Sequence, residues 1–410
     1  MIEAAAPVTV RAIAAGGDGV ASLPDGRAVF IPRAAPGDRL QLRDVRRHAR
    51  FARAEIAEVI EASPDRITPP CVHYIADRCG GCQVMHLNAA AQRASKARIV
   101  GDAIRRIAHL DIADPDVVPP PEAFGYRTKV TFTWQRGQLG YHRLHDAAAV
   151  FDVRECLIAD PGVRELHAAL REARRYLPRG PARIVLRIDR DRGAHLIVES
   201  PPGDAWTGAR QLHAALRGQG MEAVVWWIPE GGQPRVLAGA TASWPATVFE
   251  QVHPAMGRTV RQAAIEALGE VRGAATWDLY AGIGETTAEL AARGAVVESV
   301  ERDPRAVTLA ERVGPAGPTR HAADVEMMVG TLAPPRLILT NPPRTGMAAS
   351  VVEALRESGA VRLVYISCDP ATLARDLARL GPAYQLHTLQ AFDQFPQTAH
   401  VECVAALDRR

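Results

Sequence analysis

From about Val271 to the C-terminus, strand-like segments (ATWDLY, VVESVE, RLILT, RLVYIS) alternate with helical ones (ETTAELAAR, PRAVTLAERV, AASVVEALRES, PATLARDLARL). Helices joined to strands in this order can cover both faces of one sheet only if the strands run mainly parallel. The alternation therefore predicts an α/β, doubly wound, Rossmann-like domain over 246–410. Ligands of such sheets bind in the loops at the carboxyl ends of the strands. Those loops hold the residues of interest.

The rest of the chain reads differently. Residues 8–60 alternate apolar and polar positions between turn signals (VTVRAIAAGGDGVASL, GRAVFIP, DRLQLRDV, RAEIAEVI), the pattern of a small antiparallel β-barrel over 1–62. Arg39, Arg43, Arg46, Arg47, Arg50 and Arg53 form a basic run interrupted by Asp44. It fits a solvated strand face and a phosphate-contacting surface equally well. Residues 63–245 read as a central, mostly antiparallel α+β domain. Within it RTKVTFTW, ARIVLRID, AHLIVES and AVVWWIP are the clearer strands, and the proline-free stretch 89–110 is a helix expected to pack on the catalytic domain.

Net charge is only +3, and all but two of the 49 cationic side chains are arginine, the exceptions being Lys96 and Lys129. A chain this rich in Ala, Arg, Gly and Pro reflects a compositional bias, so arginine abundance alone does not argue for nucleic acid. The N-terminal MIEAAAPVTV lacks the charged start and apolar core of a signal peptide, and no run approaches the ~20 apolar residues of a membrane span. A cytoplasmic protein is expected, with no membrane and no obligate protein partner. Six cysteines in 410 residues are too few for a disulfide framework.

WDLYAGIGETTAEL runs strand, Gly-rich turn, helix, with Gly282 and Gly284 letting the backbone approach a ligand. The next strand ends at Glu301, where a carboxylate can accept from both ribose hydroxyls. The loop lacks the third glycine of the dinucleotide fingerprint, which favours S-adenosylmethionine, a donor without a pyrophosphate. Asp324 stands where an adenine amino group could be read, and equally where a helix N-cap belongs.

TNPPRTGM ends the strand RLILT at Asn341. NPP alone suggests an amino methyltransferase, but Arg344 stands where that chemistry places a stacking aromatic. YISCDPATLARD puts Cys368 between a strand and a helix, where a helix N-terminus is expected to lower the thiol pKa from ~8.5. DQFPQTAHVE offers Glu402 as a base, while Cys403 beside it points to the other face of a strand and into the core. A thiol and a carboxylate beside a methyl donor suit C5 of a pyrimidine, which needs covalent activation at C6 before it can be methylated. The base must then be flipped out or unpaired. Cys71, Cys79 and Cys82, joined by Cys156, supply four thiols; spacing leaves zinc and an iron–sulfur cluster both open.

YISCDPATLARD, DQFPQTAHVE, NPPRTG, DLYAGIGE and FEQVHPAM resemble the motifs of the RNA uracil-5-methyltransferase family, and residues 8–60 resemble its N-terminal RNA-binding TRAM barrel. The resemblance implies Cys368 as nucleophile, Glu402 as base, and Gln251, Tyr280, Glu285, Glu301, Asp324 and Asn341 as cofactor contacts. It implies a [4Fe–4S] cluster on Cys71, Cys79, Cys82 and Cys156, as in the rRNA-modifying members, and hence 23S rRNA as substrate. A fourth ligand would close the iron position that radical S-adenosylmethionine enzymes leave free, so the cluster is expected to be structural. Departures from the family are Asn341 for a commoner Asp, Tyr280 for Phe, Glu285 for Asn or a small residue, Asp369 for Asn, and a seven-residue gap between Cys71 and Cys79 where a shorter one is usual. Alternatives are the same chemistry on tRNA, an amino methyltransferase, and a non-catalytic iron–sulfur RNA-binding protein.

Overall fold

The computed structural model describes residues 6–201, 206–240 and 246–410. The start of the N-terminal segment and the expected boundary at residue 245 lie outside the described residues. The described chain forms three sheets of six, seven and eight strands.

The six-stranded sheet spans Val8–Glu61 and encloses Val8, Leu23, Val29, Ile31, Leu40, Leu42 and Ala52. Val8–Thr9 pairs with Arg39–Arg47, and Ala12–Ile13 pairs with Gly19–Ser22. One bent stretch, Val8–Ile13, therefore borders both edges of the sheet. Not every pair is antiparallel: Ala28–Ile31 runs parallel to Phe51–Glu61. The connection between them carries the whole strand Arg39–Arg47, which is long enough for a crossover that no short turn allows. Arg39, Arg43, Arg46, Arg47, Arg50 and Arg53 are all exposed.

The seven-stranded sheet spans Lys129–Ala238 and is antiparallel except where Ala194–Ser200 meets Ala223–Pro229. Lys129–Gln135 alternates in burial, whereas Ala182–Ile188, Ala194–Ser200 and Ala223–Pro229 are packed on both faces. Val130, Phe132, Trp134, Ile184, Leu186, Leu196 and Val198 point to one face, where helices Pro161–Ala173 and Ala209–Arg217 cover them with Leu166, Leu170 and Leu212. Period-two patterning against amphipathic helices is the reason this region is α+β.

The eight-stranded sheet runs Thr319–Ala322, Val296–Glu301, Ala275–Leu279, Leu337–Thr340, Arg362–Ser367, Glu402–Arg409, Tyr384–Phe392, Val117–Val118. The first five are mutually parallel, and Glu402–Arg409 is antiparallel to both neighbours. The result is a mixed α/β sheet rather than a purely parallel one. Both faces are packed, which is why RLVYIS and ECVAALDR are almost continuously buried. Val117–Val118 and helix Ala89–Ala103 belong to the middle of the chain. Even so, Val100, Ile104 and Ala108 share a core with Leu373, Leu377 and Tyr384 of the C-terminal domain. The strand order reverses between Ala275–Leu279 and Leu337–Thr340, so the loops after these strands diverge and leave a cleft. Among the described residues no helix is long and apolar enough to cross a membrane.

Candidate active site

The cleft is built first by the Gly-rich turn. Tyr280, Gly282 and Gly284 all have positive φ, at 60°, 57° and 74°. At Gly284 a Cβ would lie 3.0 Å from Ala310, so both conformation and packing demand glycine. Nothing lies within 4 Å of where a Gly282 side chain would go, and the space above the loop is open. Asp278, fully buried below the turn, accepts the hydroxyls of Thr286 at 2.7 Å and Thr287 at 2.5 Å and so ties the strand to the first turn of the next helix. Burial pushes its carboxyl up to about 6. Sequence reasoning passed over Asp278, although an acid one residue from the end of an apolar strand and eight before a Thr-Thr pair was a visible signal.

Glu301 accepts from the Gly282 N–H at 2.9 Å and the Asp303 N–H at 2.8 Å. These bonds orient its carboxylate over the turn, and each oxygen retains a lone pair. Asp324 sits at the N-cap position of Val325–Met328 but makes no side-chain capping bond; it is half exposed and 3.7 Å from Arg302. Asn341 leaves the end of Leu337–Thr340, its N–H donating to Leu279 O at 3.1 Å. Gln251 reaches the cleft from outside the sheet, accepting from Gln394 at 3.2 Å. The Tyr280 hydroxyl is buried beside Glu326. Glu285 is engaged elsewhere, by Arg190 at 3.1 Å and Arg261 at 3.0 Å.

The second half of the cleft holds the thiol and the carboxylate. Ser367 pairs antiparallel with Cys403, so the register carries Cys368 opposite Glu402 at the same sheet edge. Glu402 is completely buried, and burial pushes its carboxyl up to about 8. The Cys368 thiol is half-buried and raised, not lowered: desolvation comes first, then the neighbouring Glu402. This corrects the expectation of a depressed thiol. The helix start carries its own anion, because Asp369 caps it by accepting from Thr372 N–H at 2.9 Å, and that carboxylate faces the sulfur too. Arg344 is the opposing cation. It hydrogen-bonds towards Cys368 and favours the charged forms of both Cys368 and Glu402.

The family model for tRNA (uracil-5-)-methyltransferase matches residues 334–410, the segment that holds Asn341, Cys368 and Glu402. An uncharacterised RNA methyltransferase of Thermosynechococcus vestitus is 33% identical over 437 aligned positions, covering 95% of each chain. The 23S rRNA (uracil(1939)-C(5))-methyltransferase of Acidithiobacillus ferrooxidans is 31% identical, covering 98% of this chain and 97% of its own.

The chain belongs to the RNA uracil-5-methyltransferase family.

A solved tRNA (uracil-54, C5)-methyltransferase of Pyrococcus abyssi, in complex with S-adenosyl-L-homocysteine, shares the fold over 98% of this chain and 99% of its own, with a TM-score of 0.75 at 22% identity.

In this member of the family the loop leading to Glu402 is held from outside the catalytic domain. The buried Lys96 ammonium pairs with buried Asp393 and donates to Phe395 O at 3.0 Å. Tyr126 donates to Pro396 O at 3.0 Å. Gln92 and Gln397 exchange two hydrogen bonds of 3.0 Å, holding Gln397 at a φ of 70°. None of Lys96, Gln92 and Tyr126 was singled out from the sequence for this role. The scarcity of lysine was the one available signal.

Cys71, Cys82 and Cys156 pack with Tyr74, Met85, Tyr126 and Ile158, and Cys79 and Cys156 both adjoin the core under the seven-stranded sheet. All four thiols are free. Burial pushes Cys79 up to about 11 and raises Cys82 well above its ordinary value, and neighbouring thiols add to both shifts. Among the described residues no three His, Cys, Asp or Glu groups stand in a metal-binding arrangement.

Proposed function

We propose that the protein methylates C5 of a uridine in RNA, with 23S ribosomal RNA as the substrate, Cys368 as covalent nucleophile and Glu402 as base. The observation that carries this reading is the pairing of Cys368 and Glu402 at one sheet edge, beside the Gly-rich turn, with Arg344 facing both. The 23S substrate is supported by relatives that carry that name at 31% identity over nearly full length.

The Cys368 thiolate adds to C6, and the C5–C6 electron pair moves onto the O4 enolate. C5 then takes the methyl group of S-adenosylmethionine, and the sulfonium leaves as the neutral thioether S-adenosylhomocysteine. The Glu402 carboxylate removes the C5 proton, the electron pair returns to C5=C6, and the Cys368 thiolate is expelled. Two groups that burial keeps protonated must each be anionic at some stage, and Arg344 is the cation placed to make that possible. Tyr280, Glu301, Asp324, Asn341 and Gln251 border the space the donor would fill. Glu301 is directed at the ribose, and Asp324, free of capping, is available to the adenine amino group.

The same reading makes the six-stranded sheet a TRAM-like barrel, closed through the bent Val8–Ile13 segment, with its exposed arginines meeting phosphates. It also makes Cys71, Cys79, Cys82 and Cys156 the ligands of a [4Fe–4S] cluster. Four free, converging thiols are the donor chemistry such a cluster takes, and thiols that repel one another as anions are relieved by iron between them. The cluster would be structural, cross-linking residues 71–82 to the strand-flanking Cys156. Iron and sulfide assays on anaerobically prepared protein should return about four irons per chain, whereas a colourless zinc protein would overturn this assignment.

The covalent step is tested with RNA carrying 5-fluorouridine at the target. Fluorine cannot leave as a cation, so wild-type protein and S-adenosylmethionine should accumulate a denaturation-resistant adduct that Cys368→Ala does not form. No adduct on any ribosomal or transfer RNA would sink the proposal; an adduct on transfer RNA alone would move the substrate.

A further inference from the structure

The seven-stranded sheet touches the cofactor cleft through one strand end. Ala182–Ile188 carries Arg187, which is buried, donates to Ala246 O at 2.6 Å and Val248 O at 2.7 Å, and pairs with Glu250. In the turn that follows, Arg190 donates through Nε to Glu250 at 2.9 Å and through Nη2 to Glu285 at 3.1 Å. Arg261, on helix Pro254–Leu268, takes the other Glu285 oxygen at 3.0 Å. Five charges thus run in alternation from the middle sheet, through Glu285 at the start of the helix that follows the Gly-rich turn, to Arg261.

An isolated exposed ion pair contributes little to stability, and Arg190 itself is 40% exposed. Its partners are not exposed to that degree. Side-chain exposure is 14% for Glu250, 28% for Glu285 and 17% for Arg261. Desolvation lowers the pKa of both Arg187 and Arg261, showing that the flanking cations sit where charge is costly unless paired. Glu250 adjoins Gln251 on one wall of the cleft, and Glu285 follows Gly284 on the other. Without Arg190, the carboxylates of the two walls would lose the cation that lies between them.

We propose that Arg190 is a positioning residue for the methyl donor: it fixes the Gly-rich turn and the 249–251 segment at a set separation and ties both to the domain that carries the cysteines. The inference rests on the reading of these two segments as the cofactor cleft. It also changes the role of Glu285, whose carboxylate serves the arginines and contributes to cofactor binding through the placement of its backbone. Because the tie joins two domains, cofactor affinity and the seating of the middle sheet are thermodynamically linked, each strengthening the other.

The test is titration of S-adenosylhomocysteine into full-length protein by calorimetry. Binding to wild type checks the cofactor reading itself; no binding there would remove that reading and leave Arg190 without a purpose in it. With wild-type binding in hand, Arg190→Ala should weaken affinity ~10-fold, shrink the rise in Tm on adding ligand, and raise KM for the donor while kcat at saturation stays within about twofold. Arg190→Lys should recover part of the loss. Adding Glu285→Gln to Arg190→Ala should cost less than the sum of the two single losses, because the variants share the Arg190–Glu285 contact while Glu285 also pairs with Arg261. Unchanged affinity in Arg190→Ala, or fully additive losses in the double variant, would overturn the proposal. Should Arg190→Ala fail to fold, Arg190→Gln, which keeps the side chain's stem, is read by the same criteria.

Discussion

Two thiols in one chain are raised by burial but differ in the charges around them. Cys368 lies half-buried at an open sheet edge with a carboxylate and a guanidinium for neighbours, and Cys82 lies in a closed apolar pocket with other thiols for neighbours. Burial raises both. Cys368 has Arg344 within hydrogen-bonding reach to favour its anion, whereas Cys82 has only the more distant field of Arg127. The companion charge, and not depth of burial alone, separates the two thiols. Tyr126 links the two sites physically, lining the cysteine pocket while its hydroxyl holds Pro396 in the loop that leads to Glu402.

The comparison breaks first at the nucleophile. Cys368→Ala should remove methyl transfer by at least ~10⁴-fold, measured as label transferred from the donor to RNA, because no other group supplies covalent activation of C6. If Cys82→Ala did the same with iron content unchanged, the assignment of roles to the two sites would be wrong.

Glu402→Gln should slow turnover ~10³-fold while preserving the adduct with substrate RNA, since addition precedes proton removal. The same variant has a stability signature. Burial raises the folded-state pKa of Glu402 from its ordinary 4.5 to about 8, so the folded protein keeps a proton that the unfolded chain has lost. Stability is therefore lost as pH rises from the unfolded value to the folded one. Glutamine is exempt. Its Tm should overtake wild type by a few degrees at pH 8, with little difference at pH 5; a Tm difference that does not change with pH would place Glu402 in solvent.

Lys96→Met leaves Asp393 as an uncompensated buried charge and should cost about 3–5 kcal/mol in denaturant unfolding. Activity should fall with it, because the loop that delivers Glu402 loses its anchor. A variant as stable as wild type would show that the pair is dispensable for the link between the two regions.

The smallest effect is expected at Arg344. Arg344→Gln removes the cation that favours the charged Cys368 and Glu402, so the rise of kcat/KM with pH should move to higher pH by about one unit. A profile that keeps its shape would mean that Arg344 acts on RNA and not on the thiol.

Much of the catalytic domain was legible because its information is local. Alternating segments impose a wound sheet, a GxG after a strand makes a turn, and YISCDP and HVEC each place a side chain at a strand end. Other features were not legible because they depend on neighbours distant in sequence. The direction of the Cys368 shift came from burial first, with Glu402 and Asp369 adding to it against Arg344, and a helix start considered alone pointed the wrong way. The parallel pair in the first sheet depended on where a crossover landed, which alternation does not encode. Glu285 lay at a position expected to touch the cofactor, and only the fold brought Arg190 and Arg261 onto it.

By itself the sequence determined that this chain would build a wound α/β domain with a thiol and a carboxylate at its ligand edge, because periodicity and turn chemistry act over a few residues. Tertiary structure alone decided how charged those groups are and what holds them. Lys96 and Asp393 stand 297 residues apart and meet only when helix Ala89–Ala103 packs onto the C-terminal sheet. Electrostatic shifts depend on distance and burial in space, and no spacing along the chain reports either.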